Sequence, residues 1–393
     1  MAQPEQFRPE ISRAVLDDLD RRLVCSKPRP GLPGDGWTFG VEGAYLAELV
    51  DYWRDGYDWS VQLERINAFE HYRVVIDGIP IHFLHHRSRQ PNALPLVLTH
   101  GWPWTFWDYR DTILPLADPE SYGAEAVDAF DVIIPSLPGY GFSAPLQTAG
   151  VSFSRVADLW ALLMRDVLGY ERFGAAGGDW GGVVSAQLGH KYRDAVAGVH
   201  LFSPLRLDSF NVERPWAQLL GTLMDQAPAA QRAELLAWER RFISHLTVHT
   251  TDHQTLGHAL EDSPVGTLAW LLERRRSWSD CDGQVEQAFT RDDLITHTML
   301  YWATGTVTSA MRLYAESSRN PWVPSHGDDP TVPVPTGISL FRRDLPPGMS
   351  TGWLASYYNL LATYEHESGG HFPPSECPDV VVQDVRATFR TLR

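Results

Sequence analysis

Cysteine is scarce in this sequence. Among 393 residues there are three, Cys25, Cys281 and Cys377, and they form neither a CxxC pair nor a metal-binding spacing. A sparse, odd set of cysteines is typical of proteins from a reducing compartment, where disulfides are rare. We therefore expect a cytoplasmic protein.

Basic residues and long apolar runs are also few. The 33 Lys and Arg against 49 Asp and Glu give a net charge of −16, which argues against a nucleic-acid partner because phosphates require a basic surface. No window approaches the roughly 18 apolar residues of a membrane span. The N-terminal MAQPEQFRPEIS lacks the basic and apolar regions of a signal peptide. We expect neither membrane insertion nor secretion.

Several common functional motifs are missing as well. The sequence contains no HExxH, no P-loop and no GxGxxG at the start of a βαβ unit, so it gives no support for a metal ion or a nucleotide cofactor. The G-x-S-x-G motif of serine hydrolases is absent too, which disfavours a serine esterase. We predict a protein without cofactor or metal.

What the sequence does contain is an alternation of strands and helices. Short continuous apolar runs, typical of buried parallel strands, alternate with helical patterns. This order predicts an α/β fold with a mostly parallel central sheet flanked by helices. The four runs are LPLVLTHG, FDVIIPSLPG, RFGAAGG and VAGVHLFSP.

The periodicity also divides the chain into three parts. Residues 1–90 carry helical patterns and a hairpin and are expected to pack on the core, which we assign to residues 91–204 and 293–393. Residues 205–292 lack strand signals and predict a helical cap, beginning with WAQLLGTLMDQAPAAQRAELLAWERRFISHL. LITHTMLYWATGTVTSAMRLYAE then predicts one long helix that returns to the core.

An aspartate stands at a turn crowded with glycine, in Gly177-x-Asp179-x-Gly181. The turn follows a predicted strand and precedes a predicted helix, as in the nucleophile elbow of α/β-hydrolases, where small neighbours permit a sharp bend. The simpler interpretation is an aspartate that only caps the helix. The remaining motifs have to decide between the two.

Two further loops fit a hydrolase site. His100–Pro103 follows a strand at the place where α/β-hydrolases supply an oxyanion-hole N–H, so Trp102 and Trp180 are the candidate backbone donors, while His100 is expected to be structural. His371 follows the last strand and is the candidate base. The chain order nucleophile, acid, histidine assigns the acid to Asp344, with Glu365 and Glu367 as rivals.

Taken together, the ordered motifs resemble the epoxide hydrolases of the microsomal type. The similar segments include DGYDWSVQLERINAFEHYRVVIDGIPIHFLHHRS near the N-terminus, followed in the family's order by HGWP, GGDWGG, LEDSPVGTLAWLLE, DDLITHTMLYWATGT, VPTGISLF and SGGHF. The resemblance covers nearly the whole chain. The resemblance implies an α/β-hydrolase fold with a helical cap and an N-terminal wrapping region. It also implies Asp179 as nucleophile, Asp344 as acid and His371 as base; family members with a glutamate acid exist.

The family usually supplies two tyrosines as proton donors to the epoxide oxygen. Tyr314 occupies one of these positions, but the other corresponds to His245, and no tyrosine lies between Ile243 and Asp262. A neutral imidazole donates a hydrogen bond, whereas an imidazolium is the stronger acid. His245 is therefore a candidate second donor or a residue that shapes the substrate pocket, and a solvent-facing cap histidine is the alternative.

An aspartate nucleophile suits a substrate that is electrophilic at a saturated carbon. A serine opening an epoxide would form an inert ether, whereas a carboxylate forms an ester that water can cleave. We therefore predict an epoxide hydrolase whose partners are a small-molecule epoxide and water. The 15 tryptophans indicate a bulky or aromatic specialised-metabolite epoxide.

Other readings remain open at this point. A haloalkane dehalogenase shares the aspartate elbow, and Trp180 could hold a halide there. A non-catalytic protein with a reused hydrolase fold would be expected to lack a triad member, yet all three candidates are present. Hydrolases of this shape often pair through the cap or N-terminal region, so a homodimer is a candidate assembly, although the sequence does not determine the oligomeric state.

Overall fold

A nine-stranded sheet organises the chain in the computed structural model, which describes residues 3–215, 224–225 and 227–393. The strand order is β1-β2-β3-β5-β4-β6-β7-β8-β9. The pairs β1/β2, β2/β3 and β3/β5 are antiparallel. All the other neighbouring strands in this order are parallel. The strands are β1 Glu5–Phe7, β2 His71–Ile76, β3 Ile79–His86, β4 Leu94–Thr99, β5 Phe130–Pro135, β6 Phe173–Gly177, β7 Val196–Leu201, β8 Val332–Phe341 and β9 Tyr358–His366.

The central strands are buried along nearly their whole length, as their continuous apolar sequences predicted. Every residue of β6 and β7 is buried, and β4 and β5 each have a single half-buried residue. Helices cover both faces because each parallel connection needs a crossover. The carboxyl ends of β4, β6, β8 and β9 lead into the loops that carry the candidate site residues.

The first part of the chain contributes both helices and sheet strands. The hairpin β2–β3 joins the same sheet through antiparallel pairing of β3 with β5, and β1 pairs with β2 as the edge strand. The helices of this part and of the first half of the core are α1 Arg13–Cys25, α2 Gly43–Asp55, α3 Trp59–Ile66, α4 Arg110–Ala117, α5 Phe153–Leu162 and α6 Trp180–Lys191.

The cap region is helical where the structure describes it. Part of the first predicted cap helix, residues 216–223 and 226, lies outside the described residues. No strand occurs among the described residues of 205–292. The cap helices are α7 Ala229–Phe242, α8 Ser244–Thr251, α9 His253–Asp262 and α10 Pro264–Trp278.

The single long helix predicted after the cap is wrong. The structure has two helices, α11 Arg291–Trp302 and α12 Val307–Arg319. Gly305 lies between them at φ +66°, a left-handed conformation that glycine adopts without strain and that ends α11. The chain thereby changes direction before α12, the helix that carries Tyr314.

Three helices complete the fold: α13 Leu354–Tyr357, α14 Pro373–Glu376 and α15 Pro378–Phe389. The last of them packs on β6, where a Cβ on Gly174 would lie 2.5 Å from the Phe389 ring. No helix in the described part of the chain has the length and apolar character needed to cross a membrane.

Candidate active site

Asp179 sits at a strained bend between β6 and α6. Its φ of 51° and ψ of −130° lie outside the regions that residues with a Cβ normally adopt. Two glycines make the bend possible, because a Cβ on Gly181 would overlap the carbonyl oxygen of Thr99, and one on Gly177 would lie 2.6 Å from the same oxygen. The sequence therefore folds into a turn that holds the carboxylate clear of the sheet.

The carboxylate accepts its hydrogen bond from a loop rather than from the helix it precedes. The backbone N–H of Trp102 donates to Oδ1 of Asp179 at 2.8 Å, and the side chain does not cap α6. Trp180 is the first residue of α6, where backbone N–H groups have no acceptor within the helix. This arrangement fits a nucleophile elbow beside an oxyanion hole better than the simple helix cap.

His100 has a structural position, as expected. Its Nε2 accepts the backbone N–H of Leu137 at 3.1 Å, which ties the loop after β4 to the loop after β5. Complete burial lowers the pKa of His100 to about 4, so the ring is neutral near neutral pH. It supports the loop that carries Trp102.

His371 connects two carboxylates. Its Nδ1 lies 2.9 Å from Oδ1 of Asp344, and its Nε2 lies 3.6 Å from Oδ2 of Asp179. Ser203 donates a further hydrogen bond of 3.1 Å to Oδ2 of Asp344. Burial of the imidazole lowers its pKa, but the charges of Asp344 and Asp179 outweigh this effect and raise the pKa to about 10.

The rival acids lie elsewhere. Glu367 forms an ion pair with Arg342 in which its side chain is 81% exposed, and Glu365 belongs to β9. Asp344 occupies the turn after β8, where its N–H donates to the carbonyl of Phe341 at 3.0 Å. The structure therefore brings Asp344, and neither glutamate, to His371.

Tyr314 enters the site from α12 and packs edge-on against two tryptophans. Its ring centroid lies 4.8 Å from that of Trp180 and 6.2 Å from that of Trp102. Burial, followed by the charge of Asp179, raises the pKa of Tyr314 well above its usual value. The phenol is therefore protonated and able to donate.

Two histidines of α8 face this tyrosine from the cap. His245 stacks on Trp102 with a centroid distance of 5.1 Å and lies 5.4 Å from Tyr314, which places it inside the site rather than in solvent. His249, one turn later, lies 4.9 Å from Tyr314 and accepts a 3.3 Å hydrogen bond at Nε2 from the Trp270 indole. The sequence interpretation missed His249, although its i,i+4 spacing from His245 placed both on one helical face.

Both imidazoles are neutral. Burial is the largest cause that lowers the pKa of His245 and His249 well below the usual value, and the charge of Arg274 acts in the same direction. Of the two donor chemistries that the sequence left open for His245, the neutral N–H is the one that this environment favours.

Several buried polar atoms around Tyr314 and His371 have no hydrogen-bond partner among the described residues. A buried polar group without a partner costs about 1–3 kcal/mol, so such a concentration indicates groups that bind substrate or water. Within the described chain, the unpartnered atoms of residues that pack on Tyr314 or His371 include Trp104 Nε1, Trp180 Nε1, Tyr314 Oη, His371 Nε2, His245 Nδ1 and His249 Nδ1.

Comparison with known proteins agrees with this geometry. Residues 4–109 match the family model "Epoxide hydrolase N terminus", and residues 95–348 match the "alpha/beta hydrolase fold" model. A putative epoxide hydrolase of Stigmatella aurantiaca is 38% identical over 98% of this chain and 85% of the relative. The chain belongs to the epoxide hydrolase family. Pig epoxide hydrolase 1 is 32% identical over 98% of this epoxide hydrolase and 89% of the pig enzyme.

Solved structures confirm the α/β-hydrolase fold of this epoxide hydrolase. The silkworm Bombyx mori juvenile hormone epoxide hydrolase is 27% identical, with a TM-score of 0.82 over 100% of this chain and 95% of that chain. Aspergillus niger epoxide hydrolase is 28% identical, with a TM-score of 0.80 over 100% and 97% of the two chains. The protein is thus an enzyme of the epoxide-hydrolysing class.

Proposed function

We propose that this epoxide hydrolase forms a vicinal diol through a covalent ester on Asp179. The observation that carries the proposal is the different environment of the two Asp179 oxygens. Oδ1 is held by the Trp102 N–H at 2.8 Å, while Oδ2 faces Nε2 of His371 at 3.6 Å. One oxygen is anchored and the other is directed into the site.

In the first half-reaction, Oδ2 of Asp179 attacks a ring carbon of the epoxide. The new C–O bond forms as the ring C–O bond breaks, and the electron pair of the broken bond stays on the epoxide oxygen. Tyr314 transfers its phenolic proton to that oxygen. The neutral His245 donates a hydrogen bond to it without giving up a proton.

In the second half-reaction, water cleaves the ester. Esterification removes the negative charge of Asp179, one of the two charges that raise the pKa of His371, so the imidazolium can release its proton to solvent and become a base, while the Tyr314 phenolate regains a proton from solvent. It deprotonates water, and hydroxide attacks the ester carbonyl, whose oxyanion is stabilised by the Trp102 and Trp180 N–H groups. Asp344 orients the ring and stabilises the imidazolium that forms.

The ester then collapses to complete the cycle. The ester C–O bond on the carbonyl side breaks, the diol oxygen leaves as an alkoxide, and the imidazolium of His371 protonates it. Asp179 is released as a carboxylic acid that carries one oxygen from water, and its proton passes to the neutral His371, which restores both the carboxylate and the imidazolium.

We assign a bulky or aromatic epoxide as the substrate class. Aromatic rings surround the carboxylate, with Trp180 stacked on Phe210 at 4.7 Å and edge-on to Tyr314 at 4.8 Å. Such surfaces bind flat apolar groups well. Among styrene oxide, trans-stilbene oxide and 1,2-epoxyoctane, the aromatic pair is therefore expected to give the higher kcat/KM.

Trapping of the ester tests the mechanism. A His371→Gln variant, incubated with each of the three epoxides, is expected to gain the mass of the epoxide on the peptide that contains Asp179. The Asp179→Asn/His371→Gln double variant is the matched control and should remain unmodified. If the wild type hydrolyses an epoxide for which His371→Gln never acquires the adduct, the ester mechanism is wrong. Chloride release from 1-chlorobutane, assayed in parallel, tests the dehalogenase alternative.

A further inference from the structure

The loop that carries the base is held by its backbone. Four consecutive N–H groups in this loop each donate to a partner, and none of the four acceptors belongs to the loop itself. The bonds are Gly369 N to Asp280 Oδ2 at 3.0 Å, Gly370 N to Glu376 Oε2 at 3.0 Å, His371 N to Trp278 O at 2.8 Å and Phe372 N to Glu376 Oε1 at 2.8 Å.

Glu376 is the centre of this arrangement. Besides the N–H groups on both sides of His371, it accepts the backbone N–H of Asp280 at 2.7 Å. Asp280 follows the end of α10, so one carboxylate joins the base loop of the core to the last helix of the cap. Hydrogen bonds to an ionised acceptor are about twice as strong as neutral ones, so this joint is stiffest when Glu376 is ionised.

Burial and these backbone dipoles act in opposite directions on the pKa of Glu376. Burial raises its pKa to about 7, the three N–H donors oppose that rise, and the Asp344 charge adds to it. The Glu376 carboxylate therefore binds the backbone of the loop and does not contribute to the 2.9 Å contact between His371 and Asp344. The reaction scheme above gives Glu376 no chemical step.

The base loop matters in only one half of the reaction. Alkylation uses Asp179 and Tyr314, whereas hydrolysis needs His371 placed for a water molecule between its Nε2 and the ester. A general base acts only within hydrogen-bond reach of the proton that it removes, so displacement of the loop affects hydrolysis selectively.

We propose that Glu376 is a positioning residue for hydrolysis of the covalent intermediate, because it fixes the His371 loop to the end of the cap helix α10. This inference rests on the proposed function. It predicts that loss of the Glu376 carboxylate separates the rates of the two half-reactions.

The experiment is a single turnover of Glu376→Gln with styrene oxide, quenched in acid and followed by intact-protein mass spectrometry. The amide nitrogen of glutamine cannot accept a hydrogen bond, so at least one loop N–H loses its acceptor. Alkylation should stay within about twofold of wild type, while hydrolysis slows by about 10-fold or more and the adduct accumulates. Glu367→Gln, which changes an exposed glutamate close to the same loop, should leave both rates unchanged.

A second variant tests the same inference if Glu376→Gln does not fold. In Gly370→Ala the new Cβ would lie 2.5 Å from the Trp278 carbonyl oxygen and 2.7 Å from the Asp280 nitrogen, so it pushes the loop from α10 while Glu376 is retained. It should show the same selective loss of hydrolysis. Thermal unfolding identifies which variant is folded, and the rates of the folded variant test the positioning role of Glu376.

The results distinguish this inference from the proposed function. Unchanged hydrolysis in folded Glu376→Gln, or equal losses in both half-reactions, overturns the role of Glu376 even if His371→Gln traps the ester. Absence of an adduct in His371→Gln, with an epoxide that the wild type hydrolyses, overturns the ester mechanism itself.

Discussion

The backbone N–H of Trp102 donates a 2.8 Å hydrogen bond to Oδ1 of Asp179, so the loop after β4 holds the candidate nucleophile in place before any substrate arrives. The same N–H lies where the oxyanion develops if that carboxylate becomes an ester. A donor that is already in place costs no reorganisation during the reaction. The two loops therefore act as one unit.

Gly101 is the residue that allows the two loops to come this close. A Cβ at this position would overlap the carboxylate of Asp179, so Gly101→Ala should displace the nucleophile. A misplacement of about 1 Å can cost about 100-fold in rate, and we expect at least that loss in the alkylation step. Gly31→Ala, with no atom within 4 Å of the added Cβ, is the control. Wild-type alkylation by folded Gly101→Ala would contradict the geometry.

Removal of the Tyr314 hydroxyl should slow ring opening alone. Positioned proton transfer is worth about 10²–10⁴ in rate, so Tyr314→Phe is expected to lose that factor in alkylation and to hydrolyse a preformed ester normally. Single-turnover mass spectrometry measures both steps. Tyr122→Phe, at a half-exposed surface position, is the control. A loss confined to hydrolysis would contradict this scheme, in which the phenol acts only in alkylation.

His245 should contribute a hydrogen bond whose strength does not vary with pH. Because burial keeps its pKa well below the usual value, His245→Ala is expected to lower the alkylation rate by about 10-fold, by the same factor from pH 6 to pH 9. The exposed Thr247→Ala on the same helix is the control. His249→Phe, measured alongside, shows how far the second imidazole shares this role.

Two outcomes would contradict this assignment of His245. An unchanged alkylation rate in His245→Ala removes the donor role and leaves a residue that only shapes the pocket. A loss that appears only below about pH 6.5 would show a charged imidazolium, in conflict with the buried environment.

The stability of the enzyme should depend on pH because the pKa of His371 is raised in the folded state. Its folded pKa of about 10 exceeds the usual 6.5, so the folded state binds this proton more tightly than the unfolded state does. The resulting stabilisation is complete below pH 6.5 and is lost as the pH rises through 10. The Tm advantage of wild type over His371→Gln should therefore shrink between pH 6.5 and 10, and a gap that stays constant would show an ordinary pKa.

The sequence predicted the parts of the site that depend on chain order. The glycines around Asp179 and the position of His371 after the last strand follow from the strand–helix alternation, because parallel strands gather their carboxyl ends at one edge. Asp344 was favoured over its rivals Glu365 and Glu367 by the same reasoning, since it follows the strand that precedes the one before His371.

Other features depend on tertiary contacts with no local pattern. The break between α11 and α12 was hidden because the apolar spacing continues across Gly305, whose positive φ only the fold reveals. The tautomer of His249 depends on Trp270, and its neutrality depends on burial and then on the charge of Arg274, both residues being on another helix. No sequence pattern marks Glu376, because one of its three backbone donors, Asp280, lies 96 residues away along the chain.

Isotope placement in a single turnover tests the covalent route most directly. With enzyme in excess over styrene oxide in H₂¹⁸O, hydrolysis of an Asp179 ester puts the heavy oxygen into the carboxylate, so the peptide containing Asp179 should gain 2 Da, an increment fixed by the isotope, and the first diol should be unlabelled. Heavy oxygen in the diol of that first turnover, with an unlabelled Asp179 peptide, would mean that water opens the ring directly and that the ester does not form.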